Sequence, residues 1–428
     1  MILSLYRSIM TLGEPLIERV LANRLARGRE DPVRIGERRG VAAVTRPEGQ
    51  IIWLHAASVG ESIGALGLME CLLKRMPDSH LLVTTGTLSS AELLAKRLPE
   101  RAIHQFVPVD RPAWVTKFLD YWKPDLSVVM ESDFWPNLIL ETHRRHIPIC
   151  VVNGRMSASS FNRWRWSGVL ARPLFQAFEL VLTANEAQAE RFRSLGSPEV
   201  EALGNIKLAA PPPPIDGVPP VEIEAGEGRP IWLAASTHEG EETAALDAHE
   251  IANAQHPNLL TIIAPRHPAR ADGVAETAQV RGWVLQRRSS GEAITSDVDI
   301  YLVDTLGELG RFFDLAPVVF VAGSFVPVGG HNPIEPAHYD CAILFGPLMS
   351  KNIEIADEMK SRGAALEVSD ATTLGQTVAR LLSDEAEVKR LAEAARGLLS
   401  DHLGVTDTVA RRLTTLLEAR AVAERGRM

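Results

Sequence analysis

Residues 317–337 have the sequence PVVFVAGSFVPVGGHNPIEPA, an apolar run followed by a glycine-rich loop. The run Val318–Ala322 is typical of a buried strand, because strands covered on both faces are continuously apolar. The glycine pair 329–330 allows backbone amides to approach a ligand closely, and Asn332-Pro333 matches the cap and first position of a helix. A strand, a loop and a helix start in this order predict an α/β fold that binds an anionic ligand.

Glu335 lies three residues after the expected cap, and two interpretations of its carboxylate stay open. It can accept hydrogen bonds from both hydroxyl groups of a ribose, as acidic residues do in nucleotide-binding α/β folds. The spacing Asn332-x-x-Glu335 is also that of a capping box, in which the carboxylate bonds only to its own backbone. We favour ligand binding, because a cap does not require the glycine pair that precedes it.

Length and composition restrict the class of protein. A chain of 428 residues with 46% hydrophobic and 23% charged residues is globular and long enough for two or three domains. The net charge of −9 argues against a nucleic-acid partner, which would require a basic face. The cysteines Cys71, Cys150 and Cys341 lie far apart among apolar residues, so we expect buried thiols in a reducing compartment.

The N-terminal segment, residues 1–30, is expected to form an amphipathic helix. Apolar residues recur at helical spacing at Ile2, Leu5, Ile9, Leu12, Leu16 and Val20. Charged residues and Pro15 argue against a spanning helix, and no signal-peptide cleavage site is evident. The arginines that follow, from Arg24 to Arg39, would meet anionic headgroups beside an interfacial helix. Membrane association is favoured, and docking on the protein's own core is the alternative.

The chain divides into two similar halves. Residues 52–61 and 231–241 each predict a short apolar strand that turns into a Ser-started, Glu-bearing helix. The proline-rich stretch 209–229 is expected to be a linker, between a first domain at 31–208 and a second domain with terminal helices at 230–428. Further strands are expected at His80–Thr84, Leu126–Met130, Ile147–Val152, Leu180–Thr183, Leu259–Ala264, Ile300–Val303, Val318–Ala322 and Ala342–Phe345.

Alternating strands and helices predict parallel sheets with helices on both faces. Ligands of such sheets bind beyond the carboxyl ends of the strands, and a cleft between two facing domains is the expected site. In the second domain, Arg266 and the loop amides can hold a phosphate. In the first domain, Glu61 follows a strand, where a carboxylate can take a proton from a hydroxyl group. Ser58-x-x-Glu61 is equally a capping box, so both interpretations of Glu61 stay open.

Other chemistries lack their characteristic motifs. The sequence has no Gly-x-Ser-x-Gly elbow, no P-loop and no His-Glu-x-x-His, which argues against serine hydrolases, P-loop enzymes and zincins. Asp297 and Asp299 could pair on a metal, but they precede a strand, at the wrong end of the sheet for a ligand. The histidines in candidate loops lack metal-ligand spacing, at His55, His238, His267 and His331. No metal site is therefore expected.

Seven short motifs, in one order along the chain, resemble those of a known family. They are RIGER (34–38), HAASVGE (55–61), FWPN (134–137), NGRMS (153–157), GNIK (204–207), PRHP (265–268) and GGHNPIEPA (329–337). With these motifs the chain resembles the 3-deoxy-D-manno-octulosonic acid (Kdo) transferases of lipopolysaccharide assembly, from the N-terminal helix to near the C-terminus. Each motif is weak alone, but seven in the family's order are specific.

The resemblance implies a GT-B glycosyltransferase fold with two Rossmann-like domains facing a cleft. It implies transfer of Kdo from CMP-Kdo to the lipid A precursor (lipid IVA), with inversion and without a metal or other cofactor. The domain at 31–208 would bind the acceptor, and the domain at 230–428 would bind CMP-Kdo. The N-terminal helix would anchor the protein to the cytoplasmic side of the inner membrane.

The resemblance also implies roles for particular residues. Glu61 matches the general base of the family, and Glu131 and Lys207 match positions that stabilise the transition state. The CMP-binding segments match Pro265, Arg266, Leu306, Gly307, Glu308, Asn332, Pro333, Ile334 and Glu335. Arg155, Arg163 and Arg165 can meet the phosphates of the lipid. For Arg163 and Arg165, which stand beside Trp164 and Trp166, the alternative is an ordinary surface position.

Two alternatives remain open. The first is another GT-B transferase or an epimerase, which would use a uridine-nucleotide sugar. Binding measurements with CMP and UDP would distinguish this enzyme from a CMP-Kdo transferase. A non-catalytic, membrane-associated protein would use the same fold as a lipid-binding platform, and it would show no turnover.

Overall fold

The computed structural model describes residues 2–209, 212–213, 215, 218–223 and 228–425. The chain forms two compact units, the first from Met1–Ala210 with His402–Met428 and the second from Pro211–Asp401. Each unit contains one seven-stranded parallel sheet with flanking helices. The α/β class expected from the sequence is thereby confirmed.

The first unit begins with two helices, α1 (Ile2–Leu12) and α2 (Glu14–Ala26), separated at Gly13. Pro15 explains the break, because it has no amide hydrogen to donate to the Thr11 carbonyl group. The single uninterrupted helix expected from the sequence is therefore wrong. Among the described residues, no helix combines the length and hydropathy needed to cross a membrane.

Polar contacts hold these two helices on the first unit. The Tyr6 hydroxyl group donates a hydrogen bond to Asp110 (2.8 Å), and Arg39 pairs with Glu18 at 2.7 Å. The apolar side chains of the same helices remain largely exposed, at Leu5, Ile9, Leu12, Leu16 and Val20. The apolar stripe therefore points away from the core that the sheet and its helices form.

The first sheet alternates with helices along the chain. Its strands are β1 (Gln50–His55), β2 (Ser79–Thr85), β3 (Ala102–Phe106), β4 (Leu126–Met130), β5 (Ile149–Gly154), β6 (Leu180–Thr183) and β7 (Val200–Ala202). Their order across the sheet is β3-β2-β1-β4-β5-β6-β7. The helices are α3 (Val59–Arg75), α4 (Leu88–Ala95), α5 (Pro112–Trp122), α6 (Pro136–Arg144), α7 (Ala158–Trp166), α8 (Gly168–Gln176) and α9 (Glu186–Leu195), with 3₁₀ helices at Ile35–Arg39 and Ile206–Ala209.

The second sheet has the same organisation. Its strands are β8 (Ile231–Thr237), β9 (Leu260–Pro265), β10 (Leu285–Arg287), β11 (Ile300–Leu302), β12 (Val318–Val321), β13 (Ala342–Phe345) and β14 (Ala365–Glu367), in the order β10-β11-β9-β8-β12-β13-β14. The helices are α10 (Glu241–Asn253), α11 (Ala271–Val280), α12 (Leu309–Leu315), α13 (Ile353–Ser361), α14 (Ala371–Leu382) and α15 (Glu385–Ser400), with 3₁₀ helices at Pro268–Arg270, Arg288–Ser290 and Pro336–His338. The strands expected in both halves all form.

The last helix, α16 (Val405–Arg425), belongs to the first unit. Its Val409 and Leu413 are buried in the same core as Leu72 of α3. From the sequence, these residues were expected in the second domain, 230–428, and the structure corrects that boundary. The spacing of apolar residues in a helix shows which face is buried, but it does not show which sheet covers that face.

The proline-rich stretch 209–229 lies against the second unit where it is described. The Arg311 side chain donates to the Val218 carbonyl group (3.2 Å), and the Tyr339 hydroxyl group donates to the Pro213 carbonyl group (2.9 Å). Side chains thus satisfy carbonyl groups that no helix or sheet satisfies in this stretch.

We expect Leu413→Ala to lower the free energy of unfolding of the first unit by about 2–5 kcal/mol, because it leaves a cavity in a packed core. Hydrogen exchange in urea, resolved by peptide, measures the two units separately. Leu403→Ala is the control, since Leu403 is 74% exposed. A loss confined to peptides from residues 211–401 would contradict the packing of α16 on the first unit.

Candidate functional site

Each sheet reverses its strand order beside its first strand in sequence. In the first sheet β1 lies between β2 and β4, and in the second sheet β8 lies between β9 and β12. Open α/β sheets bind their ligands at the carboxyl ends of strands where the order reverses. The residues after β1 and β4 therefore define a candidate site in the first unit, and those after β8 and β12 define another in the second.

Glu61 lies in the first turn of α3, just after β1. The Ser58 hydroxyl group donates a hydrogen bond to Glu61 Oε1 (2.9 Å), and the Ala57 amide donates to Oε2 (2.8 Å). The Glu61 amide in turn donates to Ser58 Oγ (3.4 Å). Ser58 thus caps the helix, but the reciprocal bond of a capping box is not formed, because the Glu61 carboxylate accepts from the Ala57 amide instead of the Ser58 amide. The Glu61 side chain remains partly exposed. A cap and a chemical role are compatible here, because the two donors fix the orientation that a general base needs.

The surroundings of Glu61 raise the pKa of its carboxyl group above the ordinary value. Burial is the largest cause, and the Glu131 carboxylate adds to it. The hydrogen bonds from Ser58 and Ala57 oppose the rise, because they favour the charged form. A carboxylate with a raised pKa holds a proton more strongly, which suits a group that accepts one from a hydroxyl group.

Glu131 follows β4 and contacts two cationic side chains. It is 5% exposed and has a left-handed backbone conformation, with φ of 56°, which is uncommon for a residue other than glycine. Arg155 Nε lies 3.0 Å from Glu131 Oε2, and Lys207 Nζ forms an ion pair with Oε1. Glu131 and Lys207 are therefore neighbours, and Arg155, which the sequence analysis offered for lipid phosphates, contacts the same carboxylate.

The position of Lys207 depends on two residues that belong to the motifs NGRMS and GNIK but had no role assigned from the sequence. Asn205 Oδ1 accepts a hydrogen bond from the Lys207 amide (3.1 Å), and Asn153 Oδ1 accepts one from the Ile206 amide (3.3 Å). The aliphatic part of Lys207 passes α3 at Gly64, where a Cβ atom would lie 3.1 Å from Lys207 Cγ. Glycine at position 64 thus leaves room for the lysine.

A second group of polar side chains lies at the end of β1. His55 Nε2 lies 2.8 Å from Asp133 Oδ2, and its Nδ1 lies 2.9 Å from Thr84 Oγ1. Trp135 Nε1 also donates to Asp133 (2.9 Å). Burial alone would raise the pKa of the Asp133 carboxyl, but the hydrogen bonds from His55 and Trp135 hold it below its ordinary value. In the sequence, His55 is one of four scattered histidines, and its spacing from Asp133 does not identify the two as partners.

In the second unit, the segments matched to CMP binding lie at strand ends. Pro265 is the last residue of β9, and the Arg266 amide donates to the Thr237 carbonyl group at the end of β8 (2.9 Å). Leu306 and Gly307 precede α12, with Leu306 70% exposed. Glu308 Oε2 accepts a hydrogen bond from Arg288 Nε at 2.7 Å. Because the strands are parallel, these segments share one edge of the sheet.

Asn332, Pro333, Ile334 and Glu335 form a turn, and the helix expected to start there is absent. Asn332 Oδ1 accepts a hydrogen bond from the Ile334 amide (3.2 Å), and only the 3₁₀ helix Pro336–His338 follows. The expectation is wrong because Pro336 has no amide hydrogen to donate to the Asn332 carbonyl group. An anion at this loop would meet turn amides, and the capping-box interpretation of Glu335 has no α-helix to cap.

Glu241, the first residue of α10, is a residue that sequence reasoning missed. The helix expected to start at Ser236 starts later, because β8 continues to Thr237 and Ser236 has φ of 60°. Glu241 is 1% exposed, and its carboxylate accepts hydrogen bonds from the amides of three residues after β12, Gly323, Ser324 and Phe325. The similarity between the two halves was the available signal, since Glu241 follows β8 as Glu61 follows β1.

Two Rossmann-like sheets with sites at their strand reversals define the GT-B fold of glycosyltransferases. The solved structure of UDP-GlcNAc 2-epimerase from Neisseria meningitidis bound to UDP-GlcNAc is similar, with a TM-score of 0.58 and 12% identity over 86% of this chain and 100% of that chain. At this identity the similarity shows the fold alone.

Sequence comparison identifies the family. The family described as 3-Deoxy-D-manno-octulosonic-acid transferase (kdotransferase) matches residues 33–210. The enzyme named 3-deoxy-D-manno-octulosonic acid transferase in Rickettsia bellii is 33% identical over 91% of this chain and 93% of its own length. The one in Haemophilus influenzae is 31% identical over 96% of this chain and 98% of its own. This chain belongs to the 3-deoxy-D-manno-octulosonic acid transferase family, as its motifs predicted, and is a glycosyltransferase.

We expect Ser58→Ala to move the acidic limb of the pH profile of kcat/KM to higher pH, by up to about one unit. The substitution removes a hydrogen bond that favours the charged form of Glu61, so it raises the pKa of that carboxyl group further. A general base at Glu61, as the family resemblance implies, acts only when deprotonated, so activity is expected to fall as the pH drops through this pKa.

Ser62→Ala is the matched control for this profile. Ser62 lies in the same helix, and its hydroxyl group donates to the Ser58 carbonyl group (2.9 Å) and not to Glu61. We expect its acidic limb to coincide with that of the wild type. A limb that Ser58→Ala leaves in place, or moves to lower pH, would mean that another group titrates.

Proposed function

We propose that this protein transfers Kdo from CMP-Kdo to a lipid A precursor, with inversion at the anomeric carbon and without a metal ion or other cofactor. The supporting observation is the Glu61 carboxylate, which Ala57 and Ser58 orient near the ion pair of Glu131 with Lys207. A fixed base near a fixed positive charge is what transfer to a hydroxyl group requires. The names of the relatives in Rickettsia bellii and Haemophilus influenzae point to the same sugar.

In the proposed reaction, Glu61 takes the proton of an acceptor hydroxyl group while the hydroxyl oxygen attacks the anomeric carbon of Kdo. The new C–O bond forms on one face of the sugar, and the bond to the CMP phosphate breaks on the opposite face. The electron pair of the broken bond leaves with the phosphate oxygen of CMP. A monophosphate leaving group carries less charge than a diphosphate, so cationic side chains suffice to stabilise it.

The cations around Glu131 supply that positive charge. Lys207 and Arg155 both contact the Glu131 carboxylate. Glu131 holds the two cations in place, and their positive charges stabilise the negative charge that builds up on the leaving phosphate. In the second unit, the CMP moiety would be held by Arg266 at its phosphate and by Glu335 at its ribose, together with Pro265, Leu306, Gly307, Glu308, Asn332, Pro333 and Ile334.

A groove of about 480 Å³ in the first unit supports a lipid acceptor. Apolar side chains of α2, including Leu16 and Val20, line one part of it, and Asp133 and Trp135 line another. Asp133 also bonds to His55, the last residue of β1. The groove therefore joins an apolar helix surface to the strand end that presents Glu61.

We also propose that α1 and α2 bind the cytoplasmic face of the inner membrane. Leu12 is 80% exposed and Leu16 is 67% exposed, and such an apolar stripe indicates a contact surface. The basic cluster expected beside the stripe is partly paired within the protein, in the ion pairs Arg34–Glu37, Arg38–Glu30 and Arg39–Glu18. Apolar contact is therefore the main contribution to binding, and attraction to anionic headgroups is the smaller one.

Glu61→Gln tests the base. We expect the rate of Kdo transfer to fall about 10²- to 10⁴-fold, because glutamine cannot accept the proton. The measurement is the mass of the lipid product after mixing enzyme, CMP-Kdo and lipid A precursor, with initial rates from the same reaction. Glu70→Gln is the matched control, since Glu70 is an exposed glutamate of the same helix. A folded Glu61→Gln protein within tenfold of the wild type would exclude Glu61 as the base.

The double substitution Leu5→Asp and Leu12→Asp tests the membrane surface, at two exposed leucines of α1 that do not line the groove. We expect it to weaken sedimentation with phospholipid vesicles at least about tenfold, because each buried leucine side chain contributes about 1.5–3 kcal/mol. Transfer to a detergent-dispersed acceptor should change little. Val33→Asp controls for added charge, because Val33 is 89% exposed and lies outside both helices. Unaltered vesicle binding of the double variant would rule out this surface.

A further inference from the structure

The carboxylate of Glu241 links β8 and β12, the two strands beside which the strand order of the second sheet reverses. Its Oε2 accepts hydrogen bonds from the amides of His238 (3.0 Å) and Gly323 (2.7 Å). Its Oε1 accepts hydrogen bonds from the amides of Ser324 and Phe325, both at 3.0 Å. His238 follows β8 and the other three residues follow β12, so one buried side chain joins the carboxyl ends of two adjacent strands.

These hydrogen bonds fix the start of the glycine-rich loop, residues 323–335. They also affect its later part, because Gly330 and His331 fold back and bond to Gly323 and its neighbour Ala322. The Gly330 amide donates to the Gly323 carbonyl group (2.7 Å), and the His331 amide donates to the Ala322 carbonyl group (3.0 Å). Gly323 has φ of 70°, and a Cβ atom there would lie 2.9 Å from His331 Cδ2. The segment that begins at Asn332 therefore follows directly after residues whose position depends on Glu241.

Asn352 holds the same return from a different element. Its Nδ2 donates to the carbonyl groups of Gly330 (3.1 Å) and His331 (3.0 Å), and the neighbouring Lys351 amide donates to the Gly329 carbonyl group (2.9 Å). Asn352 immediately precedes α13, so the end of the loop is tied to that helix. The loop is thus fixed at its start by Glu241 and at its return by Asn352.

We propose that Glu241 and Asn352 are positioning residues, which shape the loop 323–335 for the nucleotide without touching it. This inference rests on the proposed function, because the nucleotide is the CMP part of the donor. A carboxylate offers about four acceptor positions, and Glu241 uses them for four amides. Glutamine has a single oxygen, and its NH₂ group would face amide hydrogens, so the loop would have to move away from residue 241.

Glu241→Gln in the full chain tests the proposal. We expect the Kd for CMP, by calorimetry, and the KM for CMP-Kdo to rise about tenfold or more, because a loop misplaced by about 1 Å loses its contacts. At saturating donor, kcat should change less than about threefold, and the KM for the acceptor should stay the same. A merely structural role would lower the melting temperature without separating the donor KM from kcat.

Glu242→Gln is the matched control. Glu242 is the next residue of α10, is 5% exposed, and pairs with Arg270 at 2.9 Å instead of with the loop. We expect its CMP affinity to stay within about twofold of the wild type. The same CMP affinity in Glu241→Gln as in the wild type would overturn the inference, and so would an equal loss in both variants.

Asn352→Ala keeps the proposal testable if Glu241→Gln does not fold. It removes two hydrogen bonds from a partly exposed side chain and should raise the KM for CMP-Kdo with little change in kcat. Unchanged CMP affinity in this variant would overturn the inference. If the wild type binds UDP but not CMP, the proposed donor is wrong while the positioning inference still stands. The affinities of the variants for UDP then test that inference. A folded wild type that binds neither nucleotide would overturn both.

Discussion

A carboxylate that accepts main-chain amide hydrogens stands at the strand reversal of each sheet, and the local structure of both units depends on it. A loop that leaves a parallel strand carries amide groups that the sheet does not pair, and a buried donor without a partner costs about 1–3 kcal/mol. Glu61 accepts from one such amide and a hydroxyl group, and Glu241 accepts from four amides. The turns after β1, β8 and β12 take their course around these two side chains.

The number of hydrogen bonds distinguishes the roles that we propose for the two glutamates. A carboxylate has about four acceptor positions. Glu241 has all of them occupied, is buried, and serves the path of the chain. Glu61 has a partly exposed carboxylate with two donors, so positions remain for a proton from a substrate. A glutamate thus follows the first strand of each unit. Its bonding fits a chemical role for Glu61 in the first unit and a structural role for Glu241 in the second.

Local patterns predicted what depends on local chemistry. The strands were predictable because helices cover both faces of each sheet, so that apolar runs such as Leu126–Met130 coincide with the strands. The cap at Ser58 was predictable because it involves only four consecutive residues, Ser58 to Glu61. The false helix at Asn332 was also a local matter, since Pro336 was visible in the sequence and removes the bond that the first turn requires.

Contacts between distant residues were beyond such patterns. His55 contacts Asp133 and Arg39 pairs with Glu18, and nothing in the spacing of these residues marks them as partners. Family resemblance gave Glu131 and Lys207 the same role, but their ion pair was not predicted, because the two residues lie far apart in the chain. Charge counting also overestimated the basic surface near the N-terminus, since it cannot tell an arginine that faces solvent from one that a glutamate neutralises.

The packing of α16 on the first unit makes the second unit an insertion between two parts of the first. During synthesis on a ribosome, the residues of the second unit are all made before α16 exists. The unit that starts first is thus completed last, and the apolar surface around Leu72 stays uncovered while some two hundred residues are added, 191 of them in the second unit as Pro211–Asp401. A nascent chain in that state exposes a core to chaperones and to aggregation, although its first domain has long left the exit tunnel.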